Sequence, residues 1–149
     1  MIFKKIEPNN FDRVFNLLSK IGNDYIPPLN EQVNNMEIYI QKIVTNADTF
    51  IIIDNNCDIG ILSIYCNNLL NKKAFITTLG IATNYKGQGI AKKLLLFVIE
   101  YVKLNKFEKI ALEVNKNNIK AINFYKKSGF SIVTENKNSL FMELKLLQH

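Results

Sequence analysis

The feature of this 149-residue sequence that most constrains its fold is the junction over residues 74–102. A β-rich run over residues 74–82 leads to Gly87 and Gly89, and an apolar stripe with helical spacing follows immediately. The stripe consists of Ala91, Leu94, Leu95, Val98, Ile99 and Val102. Lysine and glutamate lie between these positions, so one helix face can pack on a sheet while the other contacts water. A strand that runs through glycines into an amphipathic helix is typical of a mixed α/β fold.

The two glycines predict a sharp backbone turn at the start of this helix. Because glycine has no Cβ, the chain at Gly87 and Gly89 can bring successive N–H groups close to a ligand. The helix adds its unpaired N–H groups and the positive end of its dipole, which together favour a phosphate. A plain tight turn needs the same glycines, so both interpretations stay open on these residues alone. The candidate phosphate-binding segment is Lys86, Gly87, Gln88, Gly89, Ile90 and Ala91.

The remaining patterns predict a single domain over residues 1–149, with the order β-α-α-β-β-β-α-β-α-β-β. A strand near residues 2–7 precedes a helix that starts near Pro8 and ends at Gly22. Asn30 is expected to cap the second helix. The order indicates a mixed α/β (α+β) fold with a central twisted sheet.

Turn-forming residues fix the connections between the later strands. Residues 54–56, Asp-Asn-Asn, join two β-rich runs into an antiparallel hairpin. Asn118 is expected to cap the last helix, and Gly129 to close it. The strands predicted after the second helix lie near residues 49–53, 57–66, 74–82, 109–114, 130–134 and 140–144.

Composition excludes several kinds of active site. The only histidine is His149, at the extreme C-terminus. A Ser-His-Asp triad, a Cys-His pair and a His-ligated zinc are therefore not expected. Cys57 and Cys66 lack metal-ligand or CxxC spacing and lie in apolar stretches, so two reduced, mostly buried thiols and no metal are predicted.

The charge balance suits an anionic ligand. The formal net charge is +6, and Arg13 is the only arginine, so nearly all of the positive charge is on lysine. These lysines are spread along the chain as on solvated surfaces, and nucleic-acid binding is not expected. The sequence lacks the apolar core of a signal peptide and any apolar run long enough to cross a bilayer, so a cytoplasmic protein with no membrane partner is the expectation.

A second motif follows in residues 118–130, with the form N-x-x-A-x-x-x-Y-x-x-x-G-F. Its fixed positions are Asn118, Ala121, Tyr125, Gly129 and Phe130. The earlier segment has the form Q/R-x-x-G-x-G/A, with Lys86 in the first position and Gly89 in the fourth. In this order, the two motifs resemble those of the GCN5-related N-acetyltransferase (GNAT) superfamily.

The resemblance implies a GNAT-like fold, with a mostly antiparallel twisted sheet of about seven strands flanked by four helices. It also implies acetyl-CoA as cosubstrate and a primary amine as acceptor. Two positions depart from the family pattern. Lys86 stands where arginine or glutamine is usual, which keeps the positive charge but loses the planar fork for phosphate oxygens. Thr83 stands where a proline is common.

The resemblance also assigns cofactor contacts outside the glycine loop. In the family, the pantetheine arm pairs like an added strand with the fourth strand, which here corresponds to Leu79, Gly80 and Ile81. Asn118 is implied as a polar contact to the same arm. Gly80 independently indicates a bulge or a close backbone approach, because it lies inside a strand.

Two residues are candidates for the chemistry. An amine of pKa near 10 is mostly protonated at neutral pH, so a base assists its attack on a thioester. Glu113 is the candidate base, because a carboxylate in an apolar strand is costly unless it is paired or functional. The alternative is a carboxylate held by the backbone or a lysine. By resemblance, Tyr125 returns a proton to the leaving thiolate, and the alternative for Tyr125 is a core aromatic.

The acceptor stays open at this stage: a peptide N-terminus, a lysine, an amino sugar, a polyamine or an antibiotic each fits. Residues 24–28 and 135–139 are expected to wall the acceptor site. A non-catalytic CoA-binding or interaction module with the same fold is the alternative to an enzyme. Sheet edges at the chain ends are compatible with a homodimer.

Overall fold

The computed structural model describes residues 1–146, which form one seven-stranded sheet with helices packed on both faces. The strands are β1 (Ile2–Lys5), β2 (Asp48–Asp54), β3 (Cys57–Tyr65), β4 (Lys73–Ile81), β5 (Lys109–Asn115), β6 (Ser131–Glu135) and β7 (Ser139–Lys145). The helices are α1 (Phe11–Ile21), α2 (Leu29–Gln32), α3 (Met36–Asn46), α4 (Ile90–Leu104) and α5 (Ile119–Lys127). His149 lies outside the described residues.

The strand order across the sheet is β1-β2-β3-β4-β5-β7-β6, and only the β4–β5 pair is parallel. The predicted mixed fold with a mostly antiparallel sheet is therefore confirmed. The predicted hairpin is also confirmed, because Asp54 pairs with Cys57 across a two-residue turn. Asn55 and Asn56 in this turn have φ of 50° and 61°, a left-handed pair that matches the twist of the strands.

Two apolar layers hold the helices to the sheet. Neighbouring residues of β2 point to opposite faces, so Ile51 contacts the layer of α1 and α3 while Ile52 contacts the layer of α4 and α5. Ile61 and Leu62 divide in the same way on β3. The central strands are buried on both faces, and they form a rigid support for the loops at their ends.

Four local predictions are wrong. The second long helix begins at Met36 rather than near Asn30, because the side chain of Asn35 accepts a hydrogen bond from the Ile38 N–H at 3.0 Å. The residues before Asn35 form the separate short helix α2, so the structure has five helices instead of four. The first helix starts at Phe11, not near Pro8. Cys57 is exposed because it directly follows the hairpin turn, so its predicted burial is wrong. Both cysteines are free, as predicted.

Candidate active site

The central feature of the site is a gap between β4 and β5. The two strands pair only from Lys73 opposite Lys109 to Ile76 opposite Leu112. Beyond this point, β4 keeps β3 as its partner and β5 keeps β7, so the facing edges of β4 and β5 are no longer joined. Such an edge offers backbone N–H and C=O groups to an added chain. A cavity of about 680 Å³ lies at the gap, and Leu79, Gly80 and Ile81 line it.

The glycine loop has the backbone conformation that the sequence predicts. Gly87 and Gly89 have φ of +79° and +77°, in the left-handed region that strains other residues. An added Cβ at either position would meet no atom within 4 Å, so the conformation, not crowding, selects glycine there. Gly89 precedes the first residue of α4, and within residues 1–146 no side chain caps this helix. Its first N–H groups are therefore available to a ligand.

The residues of the loop are not equally close to the cavity. Lys86 and Ala91 line it, whereas Gly87, Gln88, Gly89 and Ile90 are not among its lining residues. The side chain of Ile90, the first residue of α4, is buried in the core. The Gln88 side-chain amide donates to the Asn84 carbonyl at 3.3 Å. The Lys86 ammonium lies 3.1 Å from an Asp24 carboxylate oxygen at the mouth of the same cavity.

Helix α5 forms the opposite wall. Asn118 caps it as predicted, since its side chain accepts from the Ala121 N–H at 3.2 Å, and Asn118 also lines the cavity. Tyr125 lines the cavity while its ring packs against Phe124 and Phe130 at centroid distances of 5.3 and 5.4 Å. Burial raises the pKa of Tyr125 well above its usual value, so the hydroxyl keeps its proton at neutral pH.

Glu113 lies where the main cavity meets a second one of about 350 Å³, and it lines both. Its neighbours Leu112 and Val114 are buried, but the Glu113 side chain is exposed, so the expected desolvation of its carboxylate is absent. Among the described residues it forms neither an ion pair nor a hydrogen bond. The carboxylate is therefore available to a molecule that enters the second cavity.

Two tyrosines that the sequence did not single out reach the open end of β4. The Tyr25 hydroxyl lies 2.6 Å from Thr78 Oγ1, and the Tyr39 hydroxyl lies 3.0 Å from Thr77 Oγ1. Burial raises the pKa of both hydroxyl groups. An added Cβ at Gly80 would lie 2.5 Å from the Tyr25 hydroxyl oxygen, so the close neighbour of Gly80 is this side chain and not another segment of backbone.

The irregularity in β4 lies a little before Gly80. Ser63 pairs with Thr78 and Ile64 pairs with Ile76, so Thr77 is the extra residue opposite β3. A bulge of this kind bends the strand and increases its twist. It coincides with the point at which β4 leaves β5.

Of residues 24–28 and 135–139, which the sequence predicts to wall the acceptor site, only some line the two cavities. Asp24, Tyr25 and Ile26 border the main cavity, whereas Pro27 and Ser139 border the second. Within residues 1–146, no group of three or more His, Cys, Asp or Glu side chains could hold a metal ion. No helix in this range has the length and apolar content needed to cross a bilayer.

Comparison with known proteins identifies the family. The model of the Acetyltransferase (GNAT) family matches residues 12–130, which is well over half of the chain. This chain belongs to the GNAT family of acetyltransferases. The match includes both motifs, so the resemblance drawn from them is confirmed.

Individual GNAT relatives match at low to moderate identity. The chain is 38% identical over 80 residues to GCN5-related N-acetyltransferase 6, chloroplastic, of Arabidopsis thaliana, covering 53% of this chain and 28% of the relative. It is 31% identical over 86 residues to N-alpha-acetyltransferase 30 of Schizosaccharomyces pombe, covering 55% of this chain and 56% of the relative. The chain thus spans about half the length of these curated relatives, or less.

A solved GNAT structure shares the whole fold. The PaiA N-acetyltransferase from Thermoplasma acidophilum, in complex with coenzyme A, superposes with a TM-score of 0.79 over 97% of this chain and 98% of that one. The identity is 17%, so this likeness concerns the fold alone.

Proposed function

We propose that this chain transfers an acetyl group from acetyl-CoA to a primary amine by direct attack. The observation that carries the proposal is the gap between β4 and β5. It brings an open strand edge, Lys86 and Tyr125 to one cavity of about 680 Å³. The family relationship supports acetyl transfer, and the matched relatives supply the comparison with N-acetyltransferases.

The residues present fit a CoA thioester. The free edge of β4 at Leu79, Gly80 and Ile81 can pair with the amide groups of a pantetheine arm. The uncapped N-terminus of α4 and the ammonium of Lys86 suit the diphosphate. The PaiA N-acetyltransferase from Thermoplasma acidophilum, which has the same fold and was solved with coenzyme A, supports a CoA thioester as the cosubstrate.

When bound, acetyl-CoA supplies a carbonyl carbon that its thioester already activates. The Glu113 carboxylate accepts a proton from the amine, directly or through a water, so that the nitrogen lone pair can attack this carbon. The new C–N bond forms as the C–S bond breaks. The Tyr125 hydroxyl gives its proton to the departing sulfur.

Burial changes the expected match between Tyr125 and the thiolate. The ordinary pKa of a phenol is close to that of a thiol, but burial raises the pKa of Tyr125. The same apolar surroundings disfavour a thiolate released beside it, so the sulfur also becomes a stronger proton acceptor. Proton transfer to the sulfur leaves a phenolate on Tyr125, which takes up the second proton that the nitrogen loses as the amide forms, so that neither anion remains in the cavity.

The second cavity supports a choice of acceptor classes to test. Its polar lining includes Glu113, Gln32, Tyr39 and Ser139, which suits an amine that carries further hydrogen-bonding groups. One matched relative is an N-alpha-acetyltransferase, so a peptide N-terminus is one class to test. An amino sugar and a small amine are the others.

The decisive experiment is to incubate the protein with acetyl-CoA and a panel of these amines, and to measure the release of free thiol. Tyr125→Phe should lower kcat by about 100-fold while CoA binding changes little, because the hydroxyl acts on the leaving group. Tyr101→Phe is the matched control, since the Tyr101 hydroxyl bonds Asp48 at 2.8 Å and lines neither cavity.

An equal loss of kcat and of CoA affinity in Tyr125→Phe would contradict the acid role. If no amine releases thiol although CoA binds tightly, the chain is a non-catalytic CoA-binding module instead.

A further inference from the structure

Asp24 links the loop that walls the acceptor side to the loop that faces the diphosphate. Its Oδ2 atom accepts a hydrogen bond from Thr83 Oγ1 at 2.7 Å and another from Lys86 Nζ at 3.1 Å. Asp24 ends the short 3-10 turn after α1, and the two partners lie 59 and 62 residues further along the chain. Both Asp24 and Lys86 line the main cavity.

The two partners of Asp24 are the two positions at which this chain departs from the GNAT pattern. Thr83 replaces a common proline, and proline has no hydroxyl to donate. Lys86 replaces arginine or glutamine, and its ammonium carries three donors. One donor can therefore bond Asp24 while the other two face a phosphate. The departures are mutually consistent, because each supplies a bond to the same carboxylate oxygen.

The electrostatics favour a supporting role for Asp24 over a competing one. A carboxylate beside a diphosphate repels it unless a cation lies between them. Lys86 contacts this carboxylate, and the Thr83 hydroxyl holds the carboxylate from another direction. The bond from Thr83, and then that from Lys86, lowers the pKa of Asp24, so the carboxylate stays ionised at neutral pH.

The residue after Asp24 extends the link to the open strand edge. The Tyr25 hydroxyl lies 2.6 Å from Thr78 Oγ1 and directly over Gly80. The same short loop is thus fixed to the glycine loop through Asp24 and to β4 through Tyr25. Because Asp24 and Tyr25 are consecutive, the two attachments lie one peptide unit apart in the chain.

We propose that Asp24 is a positioning residue that holds the ammonium of Lys86 in place for the diphosphate. The inference rests on the proposed function, since it takes the cavity as the CoA site.

The test uses CoA alone as the probe and measures its Kd by calorimetry, which requires no turnover. Asp24→Asn should weaken CoA binding by about three- to tenfold, because the ammonium of Lys86 is no longer held in one orientation. Lys86→Met should weaken it at least as much, and the double variant should be no weaker than Lys86→Met alone. Thr83→Val should weaken CoA binding less than Asp24→Asn does. Thr83→Ser, which keeps the hydroxyl, should bind CoA as tightly as the wild-type protein.

Asp58→Asn is the matched control, because Asp58 also forms an ion pair, with Arg13 at 2.7 Å, but lies outside both cavities. Tighter CoA binding by Asp24→Asn would overturn the inference and make Asp24 a competitor of the diphosphate. Additive losses in the double variant would overturn it as well. A wild-type protein that binds no CoA would overturn the proposed function too, whereas wild-type binding with an unchanged Asp24→Asn affinity would overturn this inference alone.

Discussion

The proposed diphosphate side and the proposed acceptor side of the site are built in different ways. The diphosphate side comes from one short segment, in which Gly89 and the N-terminus of α4 present backbone groups. The acceptor side combines side chains from distant segments, such as Tyr39 on α3, Glu113 on β5 and Ser139 on β7. Backbone recognition needs only a local conformation, whereas side-chain recognition needs the whole sheet. The two sides should therefore respond differently to substitution.

The largest effect is expected where the two sides meet, at Glu113. Glu113→Gln should lower kcat by about 100-fold and remove the acidic limb of the rate profile, because an amide cannot accept the amine proton. The measurement is kcat against pH with the best acceptor. Glu100→Gln is the control, since Glu100 pairs with Lys103 at 3.5 Å on the outer side of α4. A variant that keeps its acidic limb rules out the base role.

An intermediate effect is expected on the diphosphate side alone. Gly89→Ala should raise the KM for acetyl-CoA by about tenfold and leave the acceptor KM unchanged, because a Cβ there strains the left-handed turn and obstructs the phosphate. Gly129→Ala is the matched control, with φ of +101° at the end of α5. Both variants should lose about 1 kcal/mol of folding free energy to backbone strain in denaturant titrations, and Gly129→Ala should lose somewhat more, because its Cβ would lie 3.1 Å from Leu144 Cδ1. If Gly129→Ala raised the KM for acetyl-CoA as much as Gly89→Ala does, backbone strain alone would explain the increase.

The smallest effect is expected on the acceptor side. Tyr39→Phe removes the hydroxyl that lies 3.0 Å from Thr77 Oγ1, and it should raise the acceptor KM by about threefold without changing that for acetyl-CoA. Initial rates with each substrate varied in turn provide the measurement. Tyr65→Phe serves as the control, because Tyr65 lies on β3 outside both cavities. A change in the acetyl-CoA KM would contradict the separation of the two sides.

The accuracy of sequence-based prediction follows the same division. The cap of α5 by Asn118 and the Asn55-Asn56 turn depend on residues within a few positions, and both are confirmed. The cap of α3 is predicted at the wrong asparagine. Asn30, Asn34 and Asn35 all precede this helix, and local propensity does not choose among them. The structure selects Asn35, where the chain leaves its extended conformation. The catalytic roles of Glu113 and Tyr125 stay predictions until their variants are measured.

The sequence by itself determined the order of the seven strands and the four longer helices, the glycine turn before α4 and the GNAT motifs. Each of these depends on backbone preferences and periodicities that act over a few residues. Only the tertiary structure decided where β4 parts from β5, which tyrosines reach that gap and which carboxylate holds Lys86. These features depend on strand partners and on contacts across more than thirty residues of chain, such as the 38 that separate Tyr39 from Thr77. No local pattern encodes such a distance, because packing of the whole sheet sets it.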